Sequence, residues 1–262
     1  MRYLNFLQRV HEVLEPPTYL EIGIRHGDSL ALARSASVGV DPAYEIRPEL
    51  ADELPADTAL FRETSDEYFD RPDPLAPLGG LPAGLAFIDG LHLVEYALLD
   101  FINVERHAQW TSVVVFDDIF PSDAEMAARK RETRLWTGDV YKILAILARH
   151  RRDLICLRVD TEPTGLLLVL GLDPGSSVLD DRYDEIVLDA VRPDPQRVPP
   201  DVLERRDAID PDLLLSASFW SGLRDAREAG TSRRRGLREL RRRIRHDVDH
   251  GVRSPAGRVL AR

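Results

Sequence analysis

Apolar and polar positions alternate along this chain in segments too short for a bundle of long helices. Residues 3–14, YLNFLQRVHEVL, place Leu4, Leu7, Val10, Val13 and Leu14 at the spacing of one helical face. Pro16 and Pro17 predict its end, because proline restricts the preceding residue and has no amide hydrogen. The apolar run TYLEIGI then reads as a strand that stops in the polar, glycine-bearing RHGDS. SLALARSA carries a short helical pattern, and SVGVD predicts a second strand ending in an acid. Strand, glycine turn, helix, strand, acid is the opening of a Rossmann-like unit.

The alternation continues. TALFRET at 58–64 predicts a third strand, whereas 71–84, RPDPLAPLGGLPAG, is too rich in Pro and Gly for a regular element. LAFIDG at 85–90 reads as a buried strand leaving Asp89 at its end, and 92–106 predicts a helix with Val94, Leu98, Phe101 and Ile102 as its apolar stripe. SVVVFDD at 112–118 has the valines of a centre strand covered on both faces, and it ends in Asp117 and Asp118. A helix fits 138–150; DLICLRVD and GLLLVLGL, split by TEPT, then suit neighbouring strands that close the sheet as an antiparallel pair. The expected fold is α/β: a Rossmann-like open, mostly parallel seven-stranded sheet with helices on both faces. Residues 1–190 form the expected domain, and 191–262 a proline-rich linker followed by helical segments over 211–228 and in the arginine-rich tail.

Composition narrows the partners. Of 262 residues, 44% are hydrophobic and 31% charged, which suits a folded soluble domain rather than a disordered chain. No apolar run approaches the ~20 residues of a spanning helix, and the first residues lack the pattern of a secretory leader, so a cytoplasmic address is expected. The lone Cys156 is expected as a small buried hydrophobe in a strand. A net charge of −10 argues against general nucleic-acid binding. RRRGLRELRRRIR departs from that average, and its three readings are a solvated helix, docking on an acidic surface of its own fold or of a twin subunit, and, least supported, nucleic-acid or membrane contact. A homodimer is expected only on general grounds.

Several residues carry candidate chemistry. Gly23 and Gly27 frame EIGIRHG and serve either as turn residues or as a cradle for an anionic or zwitterionic ligand. Asp41, ending the next strand, suits a ribose diol. Asp89, Asp117 and Asp118 end two strands that an α/β sheet brings to one rim, where three carboxylates require protons or a cation such as Mg²⁺. Loop capping by Asp117 and Asp118 is the alternative. His92 is placed to act as base, metal ligand or helix cap. Trp136 either packs in the core or borders the site.

The run TYLEIGIRHGDSLALA followed by VGVDPAY resembles the first two motifs of class I S-adenosylmethionine-dependent methyltransferases. FIDGLHLVEYALLDF, VVVFDDIFP and WTGDVYKIL, in that order, look like the metal-dependent bacterial small-molecule O-methyltransferases of the macrolide and aminocoumarin type. The resemblance spans about residues 15–170. It implies that Glu21, Gly23 and Gly27 line the methionine part of S-adenosylmethionine, with Asp28 and Ser29 at its amino-acid end. Asp41 would take its ribose, and Thr64, Ser65 and Asp66 its adenine. It further implies Mg²⁺ on Asp89, Asp117 and Asp118, with Asp89 also able to take the substrate proton, and Trp136, Asp139 and Lys142 at a small-molecule acceptor. The glycine run is not the dinucleotide fingerprint of NAD enzymes, which sets a dehydrogenase aside. The rival expectations are a non-catalytic regulatory or assembly protein on the same fold and a metal-assisted enzyme of different chemistry, such as a hydroxylase.

Overall fold

The computed structural model describes residues 1–253; residues 254–262, the end of the expected C-terminal extension, lie outside the described residues. Seven strands form one sheet: β1 (Thr18–Ile22), β2 (Ala36–Val40), β3 (Thr58–Phe61), β4 (Ala83–Ile88), β5 (Ala108–Phe116), β6 (Ile155–Val159) and β7 (Leu166–Leu170). Their order is β3-β2-β1-β4-β5-β7-β6. The first five run parallel, and β7 lies antiparallel between β5 and β6. The order reverses between β1 and β4, which opens a crevice at their carboxyl ends where open α/β sheets bind ligands.

Among the described residues, ten helices accompany the sheet: α1 (Tyr3–Leu14), α2 (Pro48–Ala51), α3 (Ser65–Phe69), α4 (Val94–Arg106), α5 (Ile143–His150), α6 (Tyr183–Ala190), α7 (Pro200–Leu203), α8 (Pro211–Leu215), α9 (Phe219–Glu228) and α10 (Arg233–Arg253). Alternation along the strands divides the core into two layers. Ile88, Val114, Phe116 and Leu167 face a cluster with Leu98 and Phe101 of α4 and Leu147 of α5. Leu85, Phe87, Val113, Val115 and Leu168 face the other side, with Phe6, Leu7 and Val10 of α1, Phe219 and Trp220 of α9, and Leu237, Leu240 and Ile244 of α10. Helices α8, α9 and α10 therefore complete the second layer of the sheet, while Val202 of α7 packs in the first.

Four expectations change. SLALARSA forms only a 3₁₀ turn, Leu30–Leu32, because too little chain remains before β2 begins at Ala36. The helix expected over 138–150 starts as a 3₁₀ turn at Val140–Lys142 and becomes α-helical at Ile143. Residues 211–228 break into α8 and α9, where the backbone N–H of Ser218 donates to Asp247 of α10 instead of continuing one helix. Cys156 sits in β6 as expected, but on an exposed position of this edge strand.

The arginine-rich helix docks on its own fold. Leu237, Leu240 and Ile244 are buried. The guanidinium of Arg233 binds Asp153 and Asp173, and that of Arg241 donates to the carbonyl of Asp153. Arg234, Arg235 and Arg238 keep their charge on the outer face. No described helix is long and apolar enough to cross a membrane.

Candidate functional site at the strand tips

The ladder bonds run one step beyond the strands and set the tips in a row. Gly23 N–H donates to the Val40 carbonyl (2.8 Å), Asp41 N–H to Phe61 (3.1 Å), Asp89 N–H to Ile22 (2.9 Å) and Asp117 N–H to Ile88 (3.1 Å). Residues predicted from four separate motifs thus share one rim. Gly23 holds φ +88°, and a Cβ there would lie 2.0 Å from the Asp89 carbonyl oxygen. Its lack of a side chain lets the tips of β1 and β4 touch.

The carboxylates of β4 and β5 meet on His92. Its Nδ1 is 2.8 Å from Asp118 Oδ2 and 2.7 Å from the Trp136 carbonyl, and its Nε2 is 3.4 Å from Asp89 Oδ1. Every neighbour is an acceptor, so both ring nitrogens are called on to donate, which requires the imidazolium. Burial opposes that charge, yet the hydrogen bonds to Asp118 and Asp89 outweigh it and push the His92 pKa up to about 11. Asp89 is raised to about 6, chiefly by burial, against the pull of His92. Asp118 holds φ +64°, an uncommon backbone for a non-glycine residue, and this turns its carboxylate towards His92.

Asp117 does not join this pairing. Its Oδ1 accepts the Asp118 N–H (2.7 Å) and the Thr164 hydroxyl (3.1 Å), and burial, then Asp118 and Asp89, hold its proton on well above the usual range. Asp89, His92 and Asp118 are the described residues whose ligand atoms fall within 4.8 Å of one another. Asp89, His92, Asp117 and Asp118 all line a cavity of about 10 Å³, room for one water-sized group. A larger hollow of about 560 Å³ lies between α9, α10 and Trp110, beside the amino end of β5 and away from these tips.

The loop before α5 is tied to this cluster. The Trp136 ring stacks on His92 with centroids 5.0 Å apart and planes at 11°. Gly138, at φ +53°, comes so close to the His92 carbonyl that a Cβ would lie 1.7 Å from it. Asp139 and Lys142, expected at the acceptor, are committed elsewhere. Asp139 is fully buried; it accepts from the Val94 backbone (2.9 Å), Arg129 (2.8 Å) and Lys142 (2.8 Å), and Lys142 also donates to the Ala190 carbonyl. Asp139 caps α4, while His92 lies two residues ahead of that helix and caps nothing. Half-buried Trp136 remains at the surface of the site.

On the β1–β2 side, Glu21 is buried and accepts from Ser29 Oγ (2.5 Å) and Tyr19 Oη (2.7 Å). Burial pushes its pKa up to about 8, although both hydrogen bonds pull the other way. Asp28 pairs with Arg47 (2.7 Å). Gly27 also has a left-handed backbone, and its added Cβ would meet Ile46. The two Asp41 oxygens each accept one backbone N–H, from Arg25 (2.9 Å) and Ala43 (2.7 Å), which leaves lone pairs for a diol. Thr64 caps α3 in a reciprocal box with Glu67, and Ser65 bonds to the buried Asp100, whose Oδ1 lacks a partner. Asp66 follows in the first turn.

Sequence reasoning missed Arg129 and Tyr3. Arg129 ties Asp139 to Glu95 from an irregular stretch with no periodicity to reveal it. Tyr3 was detectable: it precedes Leu7, Val10 and Leu14 on the buried stripe of α1 and lands on Phe87, two residues before Asp89.

Comparison with known proteins gives one family match and several structural likenesses. A family model described as a methyltransferase domain matches residues 20–119, from β1 to just beyond Asp118. No curated protein matches the chain. Among solved structures, the chain is similar to the O-methyltransferase TomG of Streptomyces achromogenes, involved in tomaymycin synthesis and solved with SAM. They share 17% identity over 65% of this chain and 79% of that one, with a TM-score of 0.45. It is also similar to an O-methyltransferase of Bacillus cereus solved with SAH, at 14% identity over 64% and 80% of the two chains and a TM-score of 0.44. Residues 20–119, which match the methyltransferase-domain model, are the part of the chain that carries β1 to β5 and the strand tips described above.

Proposed function

We propose that this protein transfers the methyl group of S-adenosylmethionine to a hydroxyl of a small-molecule acceptor, with Mg²⁺ assisting at the tips of β4 and β5. The observation that carries this reading is the meeting of Asp89 and Asp118 on His92, beside Asp41 and Glu21 on the same rim.

The residues fit both groups. Asp41 offers two half-used oxygens to a ribose, and Glu21 sits next to Ser29 where an ammonium would recover its ionised form. Asp89 and Asp118 would hold Mg²⁺, a hard cation that favours oxygen, with Asp117 lining the same small cavity. When bound, the sulfonium supplies an electrophilic methyl group and the metal lowers the pKa of an oxygen it holds.

The chain's own work is orientation and proton handling. Without a metal, His92 lies as an imidazolium between the two carboxylates; with the charge of Asp89 and Asp118 taken up by Mg²⁺, the ring is free to orient the acceptor or take its proton. Asp89 and His92, both lining the small cavity, are the groups placed to take the acceptor's proton. Trp136, stacked on His92, offers a flat wall against which an acceptor can lie. No covalent enzyme intermediate is needed.

The test is mass-spectrometric detection of a methylated product after incubation with S-adenosylmethionine and a panel of phenols and sugar derivatives. Methylation that collapses in EDTA and returns with Mg²⁺ is expected; methylation unaffected by EDTA and by Asp118→Ala would remove the metal from the scheme.

A further inference from the structure

The amino-terminal helix brings a hydroxyl to the rim that nothing in the domain accounts for. The Tyr3 ring lies on Phe87, with centroids 6.3 Å apart and planes at 24°. Phe87 pairs in register with Glu21 on one side and with Val115 on the other. Asp89 and Asp117 follow two residues on, so their side chains leave the sheet towards the same face as Phe87. Tyr3 therefore stands over the point where β1, β4 and β5 end. The helix is anchored there: Tyr3 N–H donates to the Glu162 carbonyl (3.0 Å), and Glu162 N–H to that of Met1 (2.8 Å).

The hydroxyl has no hydrogen-bond partner among the described residues, although the ring is half-buried. Burial, then the charges of Asp89, Asp117, Asp28 and Glu21, hold its proton on well beyond the ordinary range of a phenol. It is thus a permanently neutral donor in a site dominated by acceptors. A zwitterionic ligand finds partners for its ammonium among those carboxyl groups. Its carboxylate needs donors, and Tyr3 has one uncommitted.

We propose that Tyr3 is a cofactor-contacting residue whose hydroxyl donates to the α-carboxylate at the amino-acid end of S-adenosylmethionine. The contact rests on the cofactor reading given above. It makes α1 part of the binding site as well as part of the core.

Calorimetric titration of wild type and Tyr3→Phe with two nucleosides tests it. S-adenosylhomocysteine carries the amino-acid end, and 5′-methylthioadenosine lacks it. Tyr3→Phe keeps the ring on Phe87, and thermal unfolding confirms that the variant folds. The expected result is a loss of about tenfold in affinity for S-adenosylhomocysteine, the scale of one hydrogen bond to a charged group, with 5′-methylthioadenosine changed by less than about twofold. Equal weakening of both ligands, or no change in either, would overturn the contact while leaving the cofactor site standing. Wild-type protein that binds neither nucleoside would overturn the cofactor reading and the contact with it.

Discussion

Asp139 Oδ1 accepts the backbone N–H of Val94 at 2.9 Å, so α4 is capped by a carboxylate from the loop preceding α5. The same side chain balances Arg129 and Lys142, and Arg129 reaches on to Glu95 in the first turn of α4. With Gly138 against the His92 carbonyl and Trp136 on the His92 ring, this loop fixes the backbone that presents His92 to Asp89 and Asp118. Asp139→Ala removes a cap and leaves two cations without their shared partner. A stability loss on the order of 3 kcal/mol is expected in chemical denaturation, and a loss under about 1 kcal/mol would deny Asp139 this role.

His92 gives the protein a pH signature. Its folded-state pKa, about 11, lies above the unfolded 6.5, so its contribution is complete below pH 6.5 and is lost as pH rises through 11. His92→Gln should therefore cost most near neutral pH and progressively less in strongly alkaline buffer. Unfolding midpoints of the two proteins that stay equally far apart from about pH 7 to about pH 11 would contradict the ion pairs.

Glu21 has the opposite sign. Raised from 4.5 to about 8, it keeps its proton in the folded protein where the unfolded chain has released it, so stability falls as pH rises from 4.5 to 8. Glu21→Gln preserves an acceptor for Ser29 and Tyr19 and should flatten that slope. An ammonium beside Glu21 would also drive off its proton. Binding of S-adenosylhomocysteine at neutral pH should then release a proton, seen as heats that vary with buffer ionisation enthalpy, and Glu21→Gln should abolish the variation.

The arginine-rich helix is a structural layer, since Leu240 is buried against the sheet and Arg233 reaches Asp153 and Asp173. Leu240→Ala should destabilise the protein by about 3 kcal/mol in denaturant unfolding. A cost near zero would mean that α10 leaves the sheet in solution.

The seven strands were legible because parallel centre strands need unbroken apolar runs such as SVVVF, and the tips because acids and glycines end those runs. The failures are local. No periodicity distinguishes a 3₁₀ turn from the start of a helix when the chain between Gly27 and β2 is this short. Asp139 and Lys142 were expected at the acceptor from the family resemblance alone; the ties of Asp139 to Arg129 and Lys142 have no sequence signal, since only tertiary structure brings Arg129 near. Asp117 and Asp118 are adjacent in sequence, yet the left-handed backbone at Asp118 sends one to Thr164 and the other to His92.

Calorimetric titration of S-adenosylmethionine with and without Mg²⁺, on wild type and on Asp118→Ala, tests the rim most directly. The account predicts cofactor binding in both proteins, and Mg²⁺ binding in the wild type that is lost in Asp118→Ala. A wild-type protein that binds neither cofactor nor metal would contradict it.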